Sequence, residues 1–363
     1  MLKHARIWDG NQFLYLIILV LNKLLLYDIH IIIFIILLLA ELAYFAIADK
    51  FNIIDKPNER SSHSTIVLRG GGIIFSLSMV VWAVMMVFTG SSSSIIDYIP
   101  FLCGLLMVAG VSFWDAVKSL PDSVRLVVQF TAMALMFWSM GIMHWNMWWI
   151  VVLALIVCVG ATNVINFMDG INGITAGYAL AVLLPLVLLN NELCFIQESY
   201  LIVACLGVLV FCIFNFRPKG KAKCFAGDVG SISIAFIMLF AIGKLIVLTQ
   251  DVTYLIFLLV YGVDGCLTII HRILLHENLG EAHRKHAYQL MANELKIGHV
   301  TVSSLYMAIQ IVISLGFIYL CPNSVIAHWS YLICAILVLS LIYVLFKKKY
   351  YHLHEEYLAS LNN

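Results

Sequence analysis

The sequence predicts an all-α fold: a polytopic membrane bundle of about eleven transmembrane helices, with its chemistry-bearing loops gathered on the cytoplasmic face. Three observations predict it. Of 363 residues, 63% are hydrophobic and 11% charged, and the mean hydropathy is +1.00; such a composition calls for lipid as solvent and leaves no room for a hidden soluble domain. Eleven apolar runs, near 30–49, 71–89, 97–113, 124–141, 147–164, 174–190, 199–215, 229–249, 253–271, 301–320 and 328–346, have about the length a helix needs to cross roughly 30 Å of hydrocarbon. Charge is one-sided: if the first of these runs passes from outside to inside, 17 of the 21 Lys and Arg fall on the inner side and none in an outer loop. Lys and Arg are retained on the cytoplasmic side, so a net charge of only +1 conceals a basic inner face suited to anionic lipid or a phosphorylated substrate.

The chain divides into an N-terminal extension or extra hydrophobic segment (1–29), a membrane domain (30–348) and a cytoplasmic C-terminal tail (349–363). The weaker run near 12–27 is interrupted by Asn22 and Lys23, and no small-residue cleavage site follows it, which argues against a cleaved signal peptide. The nine cysteines include no C-x-x-C; Cys194 and Cys321 fall in outer loops and are the one candidate pair.

The inner loops carry the polar residues. In the first, DKPNERSSHSTIVLRGGG (55–72), Pro57 and three glycines shape the chain, and Arg60, Ser61, Ser62, His63 and Arg69 are donors suited to phosphate. A plain basic turn explains the same residues. In the second, SFWDAVKSLP (112–121), Asp115 stands at a helix end near Lys118, as a cap, a solvated charge or a functional carboxylate.

The third, NVINFMDGINGI (163–174), is harder to explain as a boundary turn. Asn163, Asn166 and Asp169 are three apart, which predicts a shared helical face; Gly170 and Gly173 then break the helix, and Asn172 adds an amide. In the fourth, FRPKGKAKCFAGDVGS (216–231), a basic run precedes Asp228 at the predicted start of a helix near Val229. That carboxylate serves as a cap or as a ligand for magnesium on a pyrophosphate, since Mg²⁺ is held by one or two carboxylates plus phosphate oxygens. The fifth, 272–298, carries GEAHRKHAYQLM, where the spacing predicts one helical face for His283 and His286 beside Arg284 and Lys285. No third ligand completes a zinc set within the loop, so phosphate or sugar contact competes with a simple basic helix.

Taken in order, these loops resemble the polyprenyl-phosphate N-acetylhexosamine-1-phosphate transferases, the family of the phospho-MurNAc-pentapeptide translocase. The matching positions are Pro57, Asn58, Arg60, Ser61, Ser62, His63 and Arg69 to Gly72; Asp115; Asn163, Asn166, Asp169, Gly170 and Gly173; Phe225, Gly227, Asp228, Gly230 and Ser231; and His283, Arg284 and His286. Ala116 stands where the family often has a second aspartate, Asn172 where many members have Asp, and IVLR (66–69) where the family has PTPR. DGINGI with HRKHAYQ is most similar to the O-antigen and capsule branch.

The resemblance implies a phosphoglycosyltransferase of the bacterial inner membrane, with its site facing the cytoplasm. It implies transfer of an N-acetylhexosamine-1-phosphate from a UDP-sugar, UDP-GlcNAc by default, to undecaprenyl phosphate with release of UMP. Asp115, Asp169 and Asp228 are the implied catalytic residues, with Asp228 holding Mg²⁺ (or Mn²⁺). Asn58, Arg60, Ser61, His63, Arg69, Lys118, Asn163, Asn166, Asn172, His283, Arg284 and His286 are the implied substrate-binding residues. Such a bundle is compatible with a homodimer, and nothing calls for nucleic acid. Two other classes stay open: a secondary transporter, whose ionisable residues belong at the bilayer midplane, and another membrane enzyme of lipid phosphates.

Overall fold

In a computed structural model, which describes residues 28–55, 67–89, 95–143, 146, 148–278 and 283–361, the chain is helical almost throughout. The helices are α1 (Asp28–Lys50), α2 (Ile73–Phe88), α3 (Ile99–Val117), α4 (Asp122–Met140), α5 (Trp148–Phe167), α6 (Ile174–Leu193), α7 (Glu198–Asn215), α8 (Gly227–Thr249), α9 (Leu259–Leu274), α10 (Ala287–Asn293), α11 (His299–Tyr319) and α12 (Val325–Leu361). Ten spans among the described residues are long and apolar enough to cross a membrane; α2, at the eleventh expected position, is apolar but only 16 residues long.

The centre is built from helices that are apolar on every side, which are buried all round. Windows of α6, α7 and α8 are 83%, 72% and 67% buried, against 22% for α5 and 6% for α12. The outer helices turn side chains such as Trp149, Leu153, Leu337 and Leu341 outward, as lipid-facing helices do. Aromatic rings lock the middle: Phe101 stacks on Phe240 at 4.2 Å and Trp82 meets Tyr200 edge-on at 5.3 Å. Gly72, at the start of α2, faces Gly230, in the first turn of α8, so closely that a Cβ on Gly72 would lie 2.3 Å from the Gly230 Cα. Only glycine lets these two helix starts meet.

Contacts sort the loops into two ends. At one, Leu68 bridges Cys224, Asn172 bonds the carbonyls of Arg217 and Pro218, Arg125 reaches Asp228, and Tyr288 bonds the Phe167 carbonyl. At the other, Ser139 bonds the Asp97 carbonyl, Trp82 bonds Ser199 and His328 meets Asp251. All the expected inner loops with described residues lie at the first end. Lys244, within a span, donates to the Ser139 carbonyl at 3.0 Å, which satisfies the one intramembrane lysine at the second end.

The structure corrects several expectations. The first inner loop is pinned at its base by a two-stranded ribbon, β1 (Ile54–Asp55) against β2 (Val67–Leu68); the run is too short to signal a strand. Residues 349–361 are not a separate tail, because α12 runs unbroken for 37 residues and packs its end on the fifth loop. The thiols of Cys194 and Cys321 are free. The N-terminal segment up to residue 27 lies outside the described residues.

Candidate active site

The site forms where helix starts and ends converge at the basic end. Asp228 lies inside the first turn of α8, which begins at Gly227 with Ala226 as its N-cap. The carboxylate is therefore not the cap that the sequence suggested. Gly227 adopts φ +62°, turning the chain sharply into the helix, and the α8 N-terminus adds the positive end of its dipole. Asp115, at the end of α3, accepts the Leu120 N–H at 2.6 Å and so also holds the α3–α4 turn. Arg125, from the first turns of α4, stands between the two: its Nη1 is 3.3 Å from Asp115 and its Nη2 3.5 Å from Asp228. Asp228 makes no other hydrogen bond or ion pair among the described residues, and its side chain is 25% exposed.

The third loop joins this cluster through Asn166, whose side-chain oxygen accepts the Ser231 hydroxyl at 2.5 Å. Helix α5 ends at Phe167, so Asp169 lies beyond it in the turn, and the expected three-residue helical face of Asn163, Asn166 and Asp169 does not form. Asp169 instead accepts the Thr175 hydroxyl at 2.5 Å, at the start of α6. Asn163 points its amide at Gln129 of α4, 2.8 Å away, and at the Val159 carbonyl. Asn172 is 1% exposed, and its amide donates to the Arg217 and Pro218 carbonyls, each at 3.0 Å. Arg69 runs beside Gly227, its Cγ 3.6 Å from where a Cβ would be. Lys118 is exposed at the end of α3. Asn58, Arg60, Ser61 and His63 lie outside the described residues.

The fifth loop closes over the turn after α5. A Cβ on Gly170 would meet the Tyr288 hydroxyl at 2.3 Å, which requires glycine there. His283 and His286 do not share a helical face, since α10 begins only at Ala287 with His286 as its cap. Their rings nevertheless lie 5.0 Å apart. Burial, then the His286 ring and the cation of Arg272, push the His283 pKa down to about 3, leaving it neutral. Its Nδ1 accepts the Lys285 N–H, so its proton is on Nε2, free to donate. Arg284 is directed away, over the Tyr357 ring at 4.7 Å and toward Glu294. Glu277 pairs with Lys285 and Arg272; burial opposes ionisation, but these cations hold its carboxyl below the usual range.

Sequence reasoning counted Arg125 among inner-loop cations without assigning it to the site. Its signal was position: a single arginine in the first turns of an otherwise cation-free helix. Asp264 was missed because it sits in an apolar run; a carboxylate within a span is itself a signal.

For a magnesium ion, the fit rests on Asp228. No group of three or more His, Cys, Asp or Glu able to hold a metal occurs among the described residues. Mg²⁺, however, needs only one or two carboxylates when phosphate oxygens and water complete its shell, and Asp228 presents a partly exposed carboxylate whose one partner is a long ion pair.

The helical bundle thus gathers aspartates, amides and arginines at one end of its spans. Residues 98–246 match the model of glycosyl transferase family 4. The chain is 26% identical over 293 residues, 75% of this chain and 77% of the relative, to a Bacillus subtilis (strain 168) protein named as a probable undecaprenyl-phosphate N-acetylglucosaminyl 1-phosphate transferase. It is 36% identical over 126 residues to the phospho-N-acetylmuramoyl-pentapeptide-transferase of Thermotoga neapolitana, spanning 35% of this chain and 39% of that relative. To the enzyme of the same name from Deinococcus radiodurans it is 42% identical over 78 residues, 22% of each chain.

Proposed function

We propose that this protein transfers an N-acetylhexosamine-1-phosphate from a UDP-sugar to undecaprenyl phosphate at the cytoplasmic face of the bacterial inner membrane, beginning an envelope glycan of the O-antigen or capsule kind. The observation that carries the reading is the pairing of Asp228 with Arg125 at the α8 N-terminus, beside Arg69, with the exposed Lys219, Lys221 and Lys223 on the loop that leads into α8. A cationic basin with one accessible carboxylate suits a nucleotide pyrophosphate. A phosphate oxygen of the lipid attacks the β-phosphorus, the bond to the α-phosphate breaks, and UMP leaves. The acceptor needs no base, because a phosphate monoester is already anionic near pH 7. Arg125, Arg69 and the loop lysines neutralise the donor's charge, and the neutral His283 donates a hydrogen bond from its Nε2–H to a phosphate oxygen. A bound Mg²⁺ would be held by Asp228 and would supply further charge neutralisation.

The transporter reading draws no support from the two carboxylates within spans. Glu41 of α1 lies 3.7 Å from the Cys224 sulfur, and Asp264 of α9 meets His286 and Ala287. Both contact inner-loop residues and do not line a midplane path.

The test is to incubate purified protein with undecaprenyl phosphate, Mg²⁺ and a panel of UDP-acetamido sugars, and to separate the nucleotides. UMP and a lipid pyrophosphate with retained anomeric configuration are expected. UDP as the main product would refute the reading.

A further inference from the structure

Asp264 is 3% exposed in the middle of α9. An isolated carboxylate buried at that depth is costly unless its lone pairs are met. Here three donors and a histidine ring nitrogen converge on it. Tyr306 Oη donates to Oδ2 at 2.6 Å; the Ala287 N–H at 3.1 Å, the Thr268 hydroxyl at 3.2 Å and His286 Nδ1 at 3.3 Å surround Oδ1. Because the Thr268 proton is directed to Asp264, the Tyr343 hydroxyl, 2.8 Å from Thr268, donates inward in turn. Tyr306, Ala287 and Thr268 all donate to the carboxylate, the arrangement an ionised acid requires.

This settles the His286 ring. The ring also caps α10, with the Gln289 N–H near the same Nδ1, which alone would favour a bare Nδ1. A lone pair facing a carboxylate is repelled, whereas an N–H facing it makes a charge-assisted bond, the stronger of the two. Nδ1 therefore carries a proton, and Nε2 projects from the opposite edge of the ring. His286 is 1% exposed, and Nε2 has no hydrogen-bond partner among the described residues. A buried imidazole nitrogen held with such care and left without a partner is one kept for a ligand.

We propose that Asp264 is a positioning residue that fixes His286 with Nδ1–H inward, so that the lone pair of Nε2 is presented as an acceptor to a hydroxyl or N–H of the substrate. The proposal rests on the phosphosugar-transfer reading for its substrate and on geometry alone for its tautomer. Asp264→Asn turns an amide N–H₂ toward Nδ1 and favours the wrong tautomer, as replacing the orienting carboxylate does in hydrolytic triads.

Two measurements test it. Transfer is measured for the wild type, Asp264→Asn, His286→Gln and the double variant, with thermal unfolding in detergent alongside. Asp264→Asn is expected to lower kcat ~10–100-fold, the usual cost of losing a group that orients a functional histidine, and to cost nothing further in the His286→Gln background. Tyr306→Phe, which leaves the Nδ1 contact in place, should stay close to wild type. Losses that multiply in the double variant, or an unimpaired Asp264→Asn, would overturn the proposal. If Asp264→Asn does not accumulate folded, Asp264→Glu enters the same cycle. The second measurement is ¹⁵N resonances of histidine-labelled protein, with His286 assigned by difference from His286→Gln. A protonated Nδ1 is expected, and a bare Nδ1 in the wild type would overturn the proposal whatever the activity. A wild type with the expected tautomer but no transfer would defeat the reaction and leave the geometry standing.

Discussion

Arg125 Nη2 lies 3.5 Å from Asp228 Oδ2, while Nη1 of the same guanidinium lies 3.3 Å from Asp115. One cation thus ties the carboxylate at the start of α8 to the carboxylate at the end of α3. Both distances exceed those of a charge-assisted hydrogen bond, about 2.7–2.9 Å, and Arg125 and Asp228 are each 25% exposed. The pair contributes about 1 kcal/mol at most, so the aspartate is available to a stronger cation.

Removing Arg125 should therefore act on metal affinity before it acts on folding. In Arg125→Gln, Asp228 loses its competing cation; Mn²⁺ or Mg²⁺ measured by calorimetry should bind a few-fold more tightly, while kcat falls about tenfold as the donor loses a counter-charge. Asp228→Asn should abolish both metal binding and transfer. Its thermal midpoint should change little, because Ala226 is the cap and the aspartate offers only the ~0.3–1 kcal/mol of a charge near a helix dipole. Near-normal transfer by Asp228→Asn at limiting Mg²⁺ would show that this carboxylate does not hold the metal.

Asn172 gives a prediction of the opposite kind. It is buried with both described amide bonds to backbone carbonyls, while its own N–H meets His299 Nδ1 and its carbonyl accepts from Ser303. Asn172→Asp would place a carboxylate against two carbonyl oxygens. The substitution should cost roughly 1–3 kcal/mol, read as a lower thermal midpoint. A stable, fully active Asn172→Asp would mean the amide is replaceable.

How far the sequence is legible follows from these cases. The helices were readable because apolar length is a local property, and the place of Asp228 at a helix start because its glycines are adjacent in the chain. What could not be read are the partners. Apart from Thr268, one helical turn on, the partners of Asp264 come from positions 22, 23 and 42 residues away, and no spacing rule joins them. Asn163, Asn166 and Asp169 look periodic, but the helix stops at Phe167, so the period runs past the structure that would give it meaning. Lys347 to Lys349 end the apolar run and suggested a tail. The helix continues because Tyr357 covers Arg284 and His354 meets Glu294, contacts invisible from either segment alone.

The His283 ring carries a pH dependence whose sign can be worked out. Its folded pKa, about 3, is below the ordinary 6.5. As pH falls below 6.5, the unfolded chain takes up a proton that the folded one refuses, so stability present at neutral pH is progressively lost. By pH 5 the loss is at most about 2 kcal/mol. Its neighbour Glu277 is held below the usual carboxylate range and so protonates only at lower pH. The difference between wild-type and His283→Gln thermal midpoints should widen in favour of the variant from pH 7.5 to 5. Parallel curves would show that the ring charges freely.

Orientation is the last expectation, and it follows from where the cations can be accommodated. Arg69, Arg125, Arg217, Lys285 and the lysines of the fourth loop lie at the end of the spans that carries Asp228. At the other end the only described cation of the spans is Lys244, bound to the Ser139 carbonyl and lying over Tyr98 and Phe240 at 5.8 Å and 5.6 Å. An internally satisfied lysine does not act as a retention signal, because its charge is already solvated by protein. Reporters fused after Gln197, at the cation-poor end, should read as periplasmic, and those after Lys118 or Lys221 as cytoplasmic. A cytoplasmic reading at Gln197 would reverse the bundle and leave the Asp228 cluster on the side where no nucleotide sugar is found.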